Sequence, residues 1–215
     1  MSEGSTLLTV PLEPPDEGGG IRVQRGAWQI VLERNRGGFA VLAHDGQFER
    51  RWFVGVPSGG ALSVRARAPR YPVRVRVREA LTVAPGGRLR GYVGVPLGHE
   101  VVWIGPDGRE FPLVEVVPHG LRTSWVESRQ AYEHHADGRF MFELAGPEDD
   151  SVAMVPLVIR NEGPQPVSPM EFLVAVRSDD LREIRRRVVA APRALVFAGV
   201  EGVEELVHGF LGARA

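Results

Sequence analysis

The sequence predicts an all-β fold of the sandwich type. Three observations carry that expectation. β-Branched and charged residues alternate with period two, as in Val73-Arg74-Val75-Arg76-Val77. Gly and Pro turn signals punctuate the chain from end to end. A 3.6-residue apolar stripe is clear only in the tail, where Val200, Val203, Leu206, Val207, Phe210 and Leu211 predict a short C-terminal helix.

In chain order, residues 11–20 (Pro-Leu-Glu-Pro-Pro-Asp-Glu-Gly-Gly-Gly) read as a loop within a flexible lead-in over 1–20. Proline fixes φ and lacks a donor, and glycine loses the most entropy on ordering. The β-rich domain spans 21–215, either as one unit or as two lobes dividing near 68–72. Trp28, Ile30 and Leu32 share a strand face and are expected in the core. Asp45-Gly46 reads as a two-residue hairpin turn. The strand over 72–77 is expected to run on through Leu81 and Val83, with its valines buried and Arg74 and Arg76 outside. Pro85-Gly86 fits a type II turn, and Pro106-Asp107-Gly108 another tight turn. Further strands are expected near 152–160 and 167–176. A second helix is a candidate over 180–188, with Leu181, Ile184 and Val188 on one face, although Val188-Val189 equally suits a strand.

Composition narrows the function classes. The chain has 215 residues, enough for one large domain or two small β lobes. It has no cysteine, which removes disulfides, thiolate chemistry and the common structural zinc sites. The formal net charge is −1, so no global field steers it toward nucleic acid or an anionic membrane. No stretch approaches the roughly 20 apolar residues of a membrane span, and the N-terminus lacks a basic signal-peptide region. Cytoplasmic residence is the expectation. Every basic side chain is arginine, and asparagine occurs only at 35 and 161. A GC-rich genome accounts for the first, and few thermolabile residues suit a thermophilic source. Phosphate-binding loops, nucleophile elbows, paired-histidine zinc motifs and dinucleotide fingerprints are absent.

Three features carry candidate chemistry. Between residues 65 and 90, eight arginines face one acid, Glu79. Guanidiniums two apart on a strand project to one side and could grip phosphate or carboxylate. They equally suit a solvated face neutralised by the acidic stretch of 127–150. The second feature is Glu133-His134-His135-Ala136-Asp137. In a loop, Glu133, His135 and Asp137 could converge on a metal; in a strand, His134 and His135 diverge. An exposed polar turn is the plainer expectation, with no metal and no cofactor. The third is tryptophan: Trp103 and Trp125 suit either the core or a stacking surface. Arg74, Arg76, Trp125 and His135 are therefore the candidate ligand-binding residues.

A resemblance also emerges. The Pro-Val strand at 72–77, the Ala84-Pro85-Gly86-Gly87 turn, Val95-Pro96, Leu121-Arg122-Thr123-Ser124-Trp125 and Ile159-Arg160-Asn161 occur in an order that resembles domain of unknown function 432 over residues 70–200. That is a prokaryotic family, best represented in archaea, with no established activity. It implies no catalytic residues. The functional expectation is a non-enzymatic binding or assembly module, leaning away from an enzyme. The alternative is an enzyme or binding protein for a small anionic or sugar-like ligand. A homodimer is the expected partner if there is one, with an apolar seam from the C-terminal stripe, and nucleic-acid binding is not expected.

Overall fold

The computed structural model describes residues 7–118 and 120–197. The first strands are β1 (Thr9–Leu12), β2 (Gly20–Arg25), β3 (Trp28–Asn35), β4 (Gly38–His44), β5 (Glu49–Gly55) and β6 (Ala61–Arg67). Then come β7 (Val73–Val77), β8 (Arg88–Pro96), β9 (Gly98–Ile104), β10 (Glu110–Val116), β11 (Arg122–Val126) and β12 (Ala131–Gly138). The last are β13 (Phe140–Met141), β14 (Val152–Asn161), β15 (Glu171–Val174), β16 (Arg182–Ile184), β17 (Arg187–Val189) and β18 (Arg193–Phe197). The fold is all-β, and the described residues contain no α-helix.

Two apolar cores organise these strands. In the first, the antiparallel sheet β2-β3-β4-β5 packs on β1-β6-β9-β10. Trp28, Ile30, Leu32, Phe39 and Val41 meet Leu62, Val64, Val101 and Trp103 there. In the second, the mixed sheet β11-β12-β7-β15 faces a sheet built around β8 and β14. Val73, Val75, Val77 and Phe172 pack with Val93, Val95, Val155 and Ile159. Period two decides both: alternate residues of each strand turn inward, and burial of their side chains stabilises by about 25 cal/mol per Å² of apolar surface.

The chain does not finish one core before starting the next. It passes to the second core between β6 and β7, at residues 68–72, but returns for β9 and β10. Leu97 alone separates β8, in the second core, from β9, in the first. The N-terminal segment to residue 97 is thus threaded through both halves.

Several expectations hold. Val73, Val75 and Val77 are buried, Arg76 is exposed and Arg74 is half-buried. The Gly87 amide donates to the Ala84 carbonyl at 2.8 Å, closing the Pro85-Gly86 turn. Gly108 donates to Gly105 at 2.9 Å, closing the turn at 106–108.

Other expectations are corrected. Pro11 and Leu12 are not loop but part of β1, which pairs with β6. An edge strand tolerates proline because one side of its backbone needs no donor. The β7 strand stops at Val77; Val83 makes only an isolated bridge to Val167. The turn at Asp45-Gly46 is a four-residue loop, in which the Asp45 carboxylate accepts from the amides of Gln47 and Phe48. Residues 180–188 are not a helix. A 3-10 turn at Ser178–Asp180 leads into the β16–β17 hairpin, which bends through Arg185 and Arg186 at φ 50° and 60°. Pairing of β17 with β14 supplies backbone partners and buries Val188, while Ile184 stays exposed. Tertiary pairing overrides the weak helical stripe. The C-terminal helix expected over 200–211 lies outside the described residues.

Candidate functional site: the outer face of the mixed sheet

Arg74 and Arg76 must turn outward because Val73, Val75 and Val77 turn in. Pairing then brings three other strands' outward residues beside them. On β12, His135 lies opposite Arg74 and Asp137 opposite Arg76. On β11, Arg122 lies opposite His135 and Ser124 opposite Glu133. On β15, Glu171 lies opposite Arg76. Arg74, Arg76, Arg122, Ser124, His135, Asp137 and Glu171 line an open groove of about 310 Å³.

Charge on this face is divided between committed and uncommitted groups. Glu133 is 2% exposed and accepts from Arg74 at 3.1 Å and Arg129 at 3.0 Å. Arg74 also reaches Glu171, at 3.4 Å. Arg76 and Arg122, by contrast, have no ion pair among the described residues. On the same face, the Ser124 hydroxyl and the His135 Nε2 are 2.6 Å apart. The groove thus offers two available guanidiniums, a hydroxyl–imidazole pair and two partly exposed carboxylates.

The opposite side of the same hairpin is aromatic. Trp125 and Tyr132 meet edge to face with centroids 5.0 Å apart, and Tyr71 lies 5.4 Å from both Tyr132 and His134. Trp125 is 53% exposed and Tyr132 47%. His134 shares a 2.9 Å hydrogen bond with the Thr123 hydroxyl. Burial pushes the His134 imidazole's pKa down, neighbouring His135 pushes the same way, and Glu115 opposes them weakly.

The expected ligand residues thus separate. Arg74, Arg76 and His135 do converge on one groove, although Arg74 is already bound to carboxylates. Trp125 lies on the far side of β11, away from them, and outside the core. The segment 133–137 is strand β12, not a polar turn. Glu133, His135 and Asp137 therefore share a face at two-residue spacing, with Glu133 consumed by arginines. Among the described residues no group of three or more His, Asp or Glu is placed to hold a metal ion. Sequence reasoning missed Arg122, Ser124 and Glu171 as groove residues. The signal for the first two was Arg-x-Ser on a short strand, which becomes meaningful only beside His135.

A second polar cluster lies apart from the groove. Asp150 accepts from Arg25 at 2.8 Å and is 2.6 Å from the His99 Nε2, and all three are buried. The Gly26 amide also donates to Asp150, at 3.0 Å. Burial works against the Asp150 carboxylate, but the His99 hydrogen bond and the Arg25 charge outweigh it and hold its pKa below the usual value. Burial is also the main influence on Arg25, lowering its pKa against the pull of Asp150 and Asp149. This cluster ties β2, β9 and the segment before β14 together, where the chain crosses between cores. Its three side chains are buried and bonded to one another, so it reads as structural.

No protein-family model matches the chain, and no curated protein or solved structure is significantly similar to it. No helix among the described residues is long and apolar enough to cross a membrane.

Proposed function

We propose that this chain is a non-enzymatic binding module whose groove takes a small hydroxylated acid of the sugar-acid type. The observation that carries the reading is the pair Arg76 and Arg122, uncommitted on a face where Arg74 and Arg129 are held by Glu133. Guanidiniums bind carboxylates through strong, charge-assisted hydrogen bonds. Asp137, Glu171, Ser124 and His135 supply acceptors and donors for hydroxyl groups beside that carboxylate. The groove is open rather than enclosed, which suits reversible binding more than the water-excluded site a difficult reaction needs. The resemblance to domain of unknown function 432 names no chemistry, so the reading rests on the groove.

Calorimetric titration with glucuronate and with glucose tests it. Glucuronate should bind and glucose should not. Arg76→Ala and Arg122→Ala should each weaken glucuronate binding about tenfold or more, as expected for a lost charged hydrogen bond. Trp125→Ala should leave it unchanged. A second reading has its own observation: the exposed Trp125 and Tyr132 rings, backed by the half-buried Tyr71, form a stacking surface for neutral sugars. Binding of a neutral oligosaccharide, abolished by Trp125→Ala and indifferent to Arg122→Ala, would select that face instead.

A further inference from the structure

We infer that β5 is an interface for a second copy of this chain, paired antiparallel about a two-fold axis at Trp52. Among the described residues β5 ends its sheet and pairs only with β4. An unpaired strand edge offers a row of donors and acceptors, and proteins usually blunt such edges. The outer strands of the neighbouring sheet are blunted: β1 carries Pro11, and β10 carries Pro112 with a register break after it. β5 runs seven residues, Glu-Arg-Arg-Trp-Phe-Val-Gly, with neither proline nor bulge. Phe53 on it is 76% exposed.

The available backbone groups can be assigned. Asp45 donates to the Phe48 carbonyl and Val56 donates to the Gly37 carbonyl, so even-numbered residues turn their backbone groups toward β4. Glu49, Arg51, Phe53 and Gly55 therefore turn theirs to the open edge. Two-fold antiparallel pairing requires opposite residues to share a face, so the axis must pass through one residue. An axis at Arg50 or Arg51 sets like charges against each other, which is destabilising. An axis at Phe53 leaves Glu49 opposite Pro57, outside the strand. An axis at Trp52 pairs the whole strand. Arg51 then lies opposite the second copy's Phe53, twice by symmetry, as a cation–π pair. Glu49 lies opposite Gly55, and Arg50 opposite Val54. The two Trp52 side chains meet at a non-hydrogen-bonded position, where cross-strand rings come closest. About eight backbone hydrogen bonds would form. The self-complementary register is what selects a second copy over an unrelated strand.

The test uses the full chain. Sedimentation equilibrium at tens of micromolar should show a dimer. Phe53→Lys places a cation against Arg51 and should weaken association about tenfold or more. Adding Arg51→Glu to Phe53→Lys sets the introduced carboxylate opposite the introduced ammonium and should recover most of that loss. Because the chain has no cysteine, Trp52→Cys gives a clean geometric probe. Its two thiols meet on the axis, where Cα separations of about 4.5 Å permit a disulfide. Mild oxidation should yield a covalent dimer from Trp52→Cys and not from Arg50→Cys. A wild-type monomer, a dimer indifferent to Phe53→Lys, or equal cross-linking of the two cysteine variants would overturn the inference. If Trp52→Cys loses its strand circular dichroism, the two charge variants decide alone.

Discussion

Arg65-Ala66-Arg67 on β6 and Arg74-Val75-Arg76 on β7 have the same spacing on neighbouring stretches of chain, and they meet different fates. Both members of the first pair close on one acid: Arg65 reaches Glu100 at 2.7 Å, and Arg67 is bonded to the other oxygen of the same carboxylate. Glu110 and Glu115 flank them. In the second pair Arg74 is held by Glu133 and Glu171, while Arg76 has no ion pair among the described residues. The difference lies across the strand. Glu100 lies on β9 directly opposite Arg65, and both arginines of the pair reach it; Glu133 lies two residues from Arg74's own partner, His135, and reaches Arg74 but not Arg76. Spacing aims the guanidiniums; the neighbouring strand decides whether they are spent.

How deep the cation lies should then rank what each acid contributes. The largest effect is expected at Asp150, whose partner Arg25 is only 5% exposed. Asp150→Ala strands a buried guanidinium and should cost about 3–5 kcal/mol in urea unfolding. Glu133→Ala releases Arg74, 19% exposed and still near Glu171, and should cost about 2–3 kcal/mol. Glu100→Ala releases Arg65 and Arg67, which are 34% and 37% exposed. Water and the flanking glutamates take up those charges, so about 1 kcal/mol is expected. If Glu100→Ala proved the costliest of the three, depth of the cation would not be the governing variable.

Acid sharpens the same ranking. The Asp150 pKa is depressed in the folded state, so its contribution is complete above the ordinary carboxylate pKa. It is lost as pH falls through the depressed value. Unfolding free energy should therefore decline below about pH 4, more steeply for the wild type than for Asp150→Asn. Parallel acid limbs would show that Asp150 is not responsible. The smallest effect belongs to Arg76→Ala. An exposed guanidinium with no ion pair should change stability by less than about 0.5 kcal/mol while weakening ligand binding. A larger loss of stability would mean that Arg76 is structurally committed after all.

Local pattern was legible wherever one strand faces one core. Val73 to Val77 announced both its burial and the outward aim of its arginines. Pro85-Gly86 and Pro106-Asp107-Gly108 announced their turns, because their backbone angles are set by the residues themselves. The stripe Leu181, Ile184, Val188 misled, because three apolar residues at helical spacing weigh less than the backbone partners β14 offers. Residues 133–137 misled for a related reason: nothing local marks a polar stretch as a strand when its stabilisation comes from β7 and β11 on either side.

By itself the sequence determined that this protein is all-β, where several of its tight turns fall and which faces of its clearest strands are apolar. These follow from side-chain period and from φ preferences, which act over a few residues. Tertiary structure alone decided that β9 and β10 return to the first core and that Arg122 and Ser124 join Arg76 and His135. It also decided that Trp125 faces away from them. Those outcomes depend on which strands pair and in what register, and a shift of one residue would send every side chain of β12 to the opposite face.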